Sequence, residues 1–390
     1  MISENLYLHG DAAAADAISQ LAAPYNNNTT LIEGIGTFGT RIAPIDGISA
    51  PRYTYVKSSN ITEKLVYVDS DIIPLKDNYD GSTKEPIHFL PLIPLVLLNG
   101  VNGIAIGWAT KIFPRSLKTI ITACQSALKG KKLPDLTPDF TYLDNDIESL
   151  SDGSFKAYGK LSITSHNSIS ITELPYGVTI ESFRAKLNKM EEEGLIQSYK
   201  DNSAKTIQID VKFKRSALVD WSEEQAIEFF ELHSKYRENI VAVDWDGTSI
   251  RKFDSAEQII NEFVNWRIDK YYDRFTKRFN DDDYECKYWL AVKACFDKKI
   301  ATKVQKSKTK AEVIDLITKA VSGIGADNEQ ISKISALPLY RWTEDEYTKV
   351  CENIDKLISS MQEYRDILAD ERKIKDLYYT ELTDLLKLCK

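Results

Sequence analysis

An arginine and a tyrosine stand side by side in the run Ala50-Pro51-Arg52-Tyr53-Thr54, and such a pair can carry nucleophilic catalysis. A phenol of pKa about 10 is roughly 0.1% ionised at pH 7, so making the phenolate costs about 4 kcal/mol before any attack. A site built on tyrosine must therefore supply positive charge. The guanidinium of Arg52 is permanently charged and can stabilise charge that develops on transferring oxygens. Tyr53 is one of twenty tyrosines, so residue type alone does not select it and its neighbours must. His9, in Leu8-His9-Gly10-Asp11, reads by itself as a helix-end or surface residue. Gly36, Gly39, Gly100 and Gly103 read as turn or close-approach glycines rather than phosphate cradles. Asp69 and Asp71 form a short Asp-x-Asp that reads as solvated turn, and no P-loop is present. Cys124, Cys286, Cys295, Cys351 and Cys389 are odd in number and lack the close pairing of zinc or redox motifs. They read as reduced, structural thiols of an intracellular, cytoplasmic protein.

A net charge of −8 on 390 residues argues mildly against a nucleic-acid partner. Its distribution argues the other way. No acidic residue falls between Glu85 and Asp135, where Lys111, Arg115, Lys118, Lys129, Lys131 and Lys132 all lie. A second acid-free stretch, Gly47 to Thr62, holds Arg52 and Lys57. Such stretches suit either a groove that tracks phosphates or solvated faces. A 43% hydrophobic and 28% charged composition is that of an ordinary globular protein of two or three domains. The longest apolar run, Phe89 to Leu98, is broken by Pro91 and Pro94, so it cannot span a bilayer and no membrane association is expected.

These residues need a scaffold. Asp11 is placed to cap a helix over the alanine-rich run Ala12–Ala23, which Pro24 ends. A glycine-punctuated, β-like region follows from Thr30 to Val68, with turns at Gly34-Ile35-Gly36, Phe38-Gly39 and Asp46-Gly47. A helix followed by such strands suits a winged helix. From Phe89 to Arg237 short strands and helices mix, with strands at Leu161–Ile163, Ile169–Ile171 and Ile207–Phe213 and a helix at Ile180–Gly194. A hairpin is expected at Asn239–Trp245 and Ser249–Phe253 about an Asp246-Gly247 turn. Ser255 with Gln258 and Thr343 with Glu346 then open two long helices as capping boxes. The apolar seams Phe263, Trp266, Tyr271, Phe275, Phe279 and Tyr347, Val350, Ile354, Leu357, Met361, Tyr364, Leu368 are architecture, not chemistry.

Several segments, in order and spacing, carry a resemblance. They are Leu8-His9-Gly10-Asp11 with Asp16, Glu33-Gly34-Ile35-Gly36-Thr37-Phe38-Gly39-Thr40, and Ala50-Pro51-Arg52-Tyr53-Thr54. The series continues through Asn78-Tyr79-Asp80-Gly81, Leu90-Pro91, Leu98-Asn99-Gly100 and Gly103-Ile104-Ala105-Ile106-Gly107-Trp108-Ala109-Thr110. Weaker similarity follows at Ile171–Tyr176 and Ile367–Asp370. Together they resemble the gyrase A-like breakage-reunion subunits of type IIA DNA topoisomerases, a group that includes the medium subunit of the T-even phage enzyme.

The resemblance implies an α+β multidomain chain. Its expected parts are an N-terminally incomplete winged helix at 1–95, an α/β tower at 96–253, an antiparallel coiled-coil stalk at 254–300 and 340–375, a C-gate dimerisation knob at 301–339, and a terminal helix at 376–390. It implies transesterification: Tyr53 attacks a DNA phosphodiester, becomes joined to the 5′ phosphate and releases a 3′ hydroxyl, so bond energy is kept for resealing. Arg52 matches the family arginine at the scissile phosphate, and His9 a histidine near it. Ile104 matches the isoleucine that wedges between base pairs and bends the DNA. Lys57, Lys111, Arg115 and Arg41 are the expected further DNA contacts. Metal chemistry and ATP hydrolysis belong in this family to another module, so Mg2+ on a TOPRIM domain and ATP are expected on a partner subunit. A heterotetramer with two copies of this chain, joined at the C-gate, is implied.

Some features depart from the family pattern. Tyr7 replaces the first histidine of the usual His-x-His-Gly, which removes one phosphate contact. Ala12 stands where many bacterial relatives have the serine that helps hold quinolones, so weak quinolone sensitivity is expected. The family's winged helix begins well upstream of His9, so either truncation or a second polypeptide accounts for those helices. No DNA-wrapping domain follows the stalk, and relaxation and decatenation are expected rather than supercoiling. The competing readings are a non-catalytic DNA-binding architectural protein on the same scaffold and a recombinase-like tyrosine transesterase, whose cluster of arginines and histidines is not found.

Overall fold

The computed structural model describes residues 11–44, 48–215, 217–245 and 247–389. His9, the Asp46-Gly47 turn and Asp246 lie wholly or partly outside them. Among the described residues there are eleven α-helices and six small sheets, and every strand pairing is antiparallel. Segregated helices and antiparallel sheets make the fold α+β. The chain divides into two compact units, Met1–Arg267 with Tyr379–Lys390, and Ile268–Tyr378.

In the first unit the helix Asp11–Ala22 stops short of Pro24, as its composition dictates. The side-chain amide of Asn27 donates to Gln20 O at 2.7 Å and Ala23 O at 2.9 Å, satisfying carbonyls that the ended helix leaves open. The strand Ile32–Ile35 then pairs with Tyr55–Ser58, in register from Ile32↔Ser58 to Ile35↔Tyr55. The β-like stretch also contains a helix, Asn60–Leu65, which the alternation hides. Ser59 caps it by accepting from Thr62 N–H at 3.2 Å, and the Thr62 hydroxyl reaches back to Leu31 O at 2.6 Å. The strand Val101–Ala105 forms a hairpin with Trp108–Ile112. Asn99, at its root, both accepts from Thr29 N–H at 3.0 Å and donates to Thr29 O at 2.8 Å. That clasp ties the hairpin to the segment leading into the Ile32–Ile35 ribbon.

Beyond the hairpin, Ser116 caps the helix Leu117–Leu128, whose Ile120, Ile121 and Cys124 are fully buried. A four-stranded sheet runs Ser198–Asp201, Ile209–Lys212, Ser168–Glu173, Lys160–Ser165. Its apolar face, with Ile169, Ile171, Ile209 and Val211, packs with Phe183 and Leu187 of the helix Ile180–Glu192. Period-two alternation produces the first and period 3.6 the second. The expected hairpin is present but shorter, Val241–Val243 against Ile250–Lys252. Asp69 is a correction to its reading as solvated turn: it is fully buried and ion-paired with Arg267, itself fully buried. Asp71 is exposed.

The second unit centres on the helix Ala256–Asp297, most of which belongs to it, and the helix Glu344–Leu368. Thr343 caps the latter by accepting from Glu346 N–H at 3.5 Å. Phe275 meets Tyr364 at 5.8 Å between ring centroids, whereas Phe296 meets Tyr347 at 5.4 Å. Residue numbers that rise on one helix while falling on the other make the pair antiparallel. Val350, Ile354 and Met361 of the second seam are buried with Cys286, Val292 and Cys295. Burial pushes the Cys295 thiol up to about 11, as befits a packing residue rather than a nucleophile.

Candidate active site

Pro51 fixes its own φ and opens a single 3-10 turn, Pro51–Tyr53. Tyr53 N–H donates to Ala50 O at 2.9 Å and Thr54 N–H to Pro51 O at 3.3 Å, which closes the turn. Behind it Gly36 has φ +111°, and a Cβ there would lie 3.3 Å from Tyr53 O and 3.2 Å from Thr54 Cγ2. Any side chain at 36 would thus be strained and would crowd the backbone of the tyrosine. The turn projects Tyr53 outward with 66% of its surface exposed. Arg52 Cζ sits 5.0 Å from the centre of the Tyr53 ring, and among the described residues Arg52 makes no ion pair. A phenol and a guanidinium without an ion-pair partner among the described residues therefore share one solvent-facing knuckle.

Other tyrosines of this unit are in a different state. Tyr142, Tyr176 and Tyr236 sit in an aromatic cluster with Phe113 and Phe140, and burial pushes all three phenols up from their ordinary value. Desolvation holds them neutral, the opposite of what a nucleophile needs.

The expected DNA contacts divide. Lys57 is exposed on the same ribbon and lies 2.7 Å from Glu33, its cross-strand neighbour. An exposed pair of this kind is worth about 0–1 kcal/mol, so the ammonium can be drawn off by a phosphate. Ile104 stands on the hairpin with 92% of its surface exposed. Its neighbour Ile106, which the family reading passes over, is 102% exposed at the tip, and Trp108 is exposed beside it. Burying an aliphatic side chain is worth about 1.5–3 kcal/mol, so two bare isoleucines are a reserve of apolar surface for a ligand. Such side chains can enter between base steps and kink a duplex.

Lys111 is half-buried at the hairpin base, its ammonium 4.9 Å from the Tyr236 ring and 5.5 Å from the Phe113 ring. Arg41 is ion-paired with Glu173 and donates to Leu174 O at 3.0 Å, so it locks a loop to the sheet. Arg115 departs from its expected role altogether. It is 2% exposed, donates to both carboxylate oxygens of Glu238 at 2.6 Å, and also bonds Leu136 O and Phe113 O. A guanidinium so enclosed cannot meet a phosphate; it is a structural cross-link. Tyr53, Arg52 and Lys57 thus gather on one ribbon, Ile104 on the clasped hairpin, and Arg41 and Arg115 in the framework. His9 lies outside the described residues.

Among the described residues no group of three or more His, Cys, Asp or Glu side chains is placed to hold a metal ion, and no helix is long and apolar enough to cross a membrane.

Residues 3–383 match the family model for the A-type chain of DNA gyrase/topoisomerase IV. The chain is 29% identical over 353 residues to the DNA topoisomerase medium subunit of Enterobacteria phage T4, covering 89% of this chain and 77% of that protein. It is 30% identical over 277 residues to DNA topoisomerase 2 of Bombyx mori, covering 69% of this chain and 18% of that protein. Identity to DNA topoisomerase 2 of Candida albicans is 28% over 281 residues, 70% of this chain and 19% of that protein. The chain therefore spans only about a fifth of the length of the eukaryotic relatives.

Proposed function

Because the chain belongs to the A-type family of DNA gyrase/topoisomerase IV, we propose that it is the DNA-cleaving and religating subunit of an ATP-dependent type II DNA topoisomerase. The observation that carries this reading is the Pro51–Tyr53 turn, which presents an exposed phenol beside a guanidinium with no ion-pair partner among the described residues. The Tyr53 oxygen attacks the phosphorus of a DNA phosphodiester, forms a tyrosine–5′-phosphate ester, and the 3′ oxygen leaves as a hydroxyl after taking a proton. The reverse step reseals the strand without fuel, since one ester bond is exchanged for another. Arg52 neutralises charge on the non-bridging oxygens as the bond exchanges. His9 is proposed to lie near the same phosphate. Ile104 wedges the duplex open and Lys57 contacts its backbone.

Magnesium and ATP are assigned to a partner subunit with TOPRIM and ATPase modules. Two copies of this chain, joined through the stalk, would cut both strands while a second duplex passes.

Denaturant trapping of a covalent DNA adduct, in the presence of Mg2+ and the partner subunit, tests the reading. Wild type should yield a protein–5′-phosphate adduct and Tyr53→Phe none. A duplex bound by wild type but never joined to it would instead indicate a non-catalytic architectural protein.

A further inference from the structure

The second unit carries a charge anomaly far along the chain from Tyr53. Lys298, Lys299, Lys303, Lys306, Lys308 and Lys310 fall in the stretch 298–311, which holds no Asp or Glu, so 6 − 0 gives a formal charge of +6 in a chain of −8 overall. All six are exposed. Many lysines elsewhere in this unit are neutralised along their own helices, Lys277 by Asp281, Lys287 by Asp283, Lys319 by Asp315, Lys333 by Glu329 and Lys349 by Asp345, and the two without an ion pair among the described residues, Lys356 and Lys373, have acidic neighbours in sequence.

The carboxylates nearest in sequence are already engaged. Asp297 holds Lys293 and the Tyr347 hydroxyl. Glu312 accepts from Lys308 N–H at 2.8 Å, just ahead of the Thr309 cap of the helix Lys310–Ala320. Lys298 spends its ammonium on Ala320 O at 2.5 Å. That leaves Lys299, Lys303, Lys306, Lys308 and Lys310, none of which makes an ion pair among the described residues.

The residues between the lysines identify the partner. Thr302 spends its hydroxyl proton on Lys299 O at 2.8 Å and Thr309 accepts from Glu312 N–H as a helix cap, but the Gln305 amide, the Ser307 hydroxyl and the Thr309 hydroxyl proton remain to suit phosphate oxygens. Ile300 is buried, and the stretch exposes no large apolar side chain. Protein interfaces are built on aromatic and apolar anchors and are depleted in lysine, and without an apolar face a membrane would be held by electrostatic attraction alone, one of the two signals that stable anchoring takes. We infer that the Lys299–Lys310 stretch is a DNA-backbone contact for a duplex other than the one cut at Tyr53. The inference rests on the cleavage reading for its choice of polyanion.

The test uses the assembled enzyme, this chain with its partner subunit, with the cleavage site saturated by an unlabelled short duplex. A second, fluorescent duplex of about 20 base pairs is then titrated between about 50 and 200 mM salt, a range over which phosphate contacts are strongly weakened. The Lys303→Gln, Lys306→Gln, Lys308→Gln, Lys310→Gln variant should weaken this second duplex about tenfold or more at the lower salt. It should reduce the slope of log affinity against log salt by roughly 3 to 4, about 0.9 per lost phosphate contact. Adduct formation through Tyr53 should be unchanged. A parallel variant of the ion-paired Lys287, Lys319, Lys333 and Lys349 should leave the slope alone. No second-duplex binding by wild type, an unchanged slope in the first variant, an equal loss in the second, or a loss of anionic-vesicle rather than DNA binding would each overturn the inference. Absence of adduct in every protein, with the second-duplex difference intact, would instead count against the cleavage reading alone.

Discussion

The Pro51–Tyr53 turn of the first unit and the Leu339–Trp342 turn of the second are built alike. Each is a short 3-10 turn begun at or just after a proline, Pro51 or Pro338. Each exposes a tyrosine by about two thirds, Tyr53 at 66% and Tyr340 at 68%, and each lays a guanidinium by that ring, at 5.0 and 5.9 Å. The difference is what the arginine has left to give. Arg341 donates to Glu346 at 2.6 Å, and that bond holds the Glu346 carboxyl below its ordinary range. Arg52 has no such partner among the described residues, and its turn is backed by Gly36 rather than by the start of a long helix. An Arg-Tyr neighbourhood does not in itself mark a nucleophile; on the proposed reading the distinguishing property is a guanidinium beside the phenol with no ion-pair partner among the described residues.

The sharpest way to break this contrast is to remove each hydroxyl. Tyr53→Phe should abolish the covalent adduct on denaturing gels and Tyr340→Phe should leave it at the wild-type level; the reverse pattern would move the nucleophile to the second unit. Next in size, Arg52→Gln should slow cleavage by on the order of 10² to 10³ in single-turnover measurements, the scale of a lost transition-state donor. Arg341→Gln should leave the rate unchanged. Ile104→Ala and Ile106→Ala, scored by fluorescence-detected bending of a short duplex, should each weaken the bent complex about tenfold, since one buried aliphatic side chain is worth about 1.5–3 kcal/mol and tenfold is about 1.4 kcal/mol. A loss at 104 with none at 106 would confine the wedge to one residue. The smallest effect is expected at Lys57→Gln, a reduction of the salt slope for duplex binding by about 0.9, with thermal stability unchanged because its pair with Glu33 is exposed.

Local rules made part of this legible from sequence. Pro51, Gly36 and the capping residues Ser255 and Thr343 act within a few residues, and the alternation at Ile169–Ile171 and Ile207–Phe213 writes its own strands. What escaped is long-range pairing. Arg115 in an acid-free stretch looks like a surface cation, yet its partner Glu238 lies 123 positions away. Asp69 looks solvated because Arg267 lies 198 positions away. Counting charges between Glu85 and Asp135 also passes over the helix Leu117–Leu128, whose apolar face, not Lys118, decides its place. Ile106 carries no local signal that separates it from an isoleucine of the core.

The hairpin bearing Ile104 and Ile106 turns on only two residues, Ile106 and Gly107, with Gly107 at φ +79° and open space around it. Since neighbouring strand residues face opposite sides, adding or deleting one residue within Val101–Ala105 would turn Ile104 to the other face, while an extra residue at the tip would leave both strands in register. Descendants of this chain can thus lengthen the tip without disturbing the pairing, but the count of residues from Asn99 to Ile104 is inherited as a fixed measure.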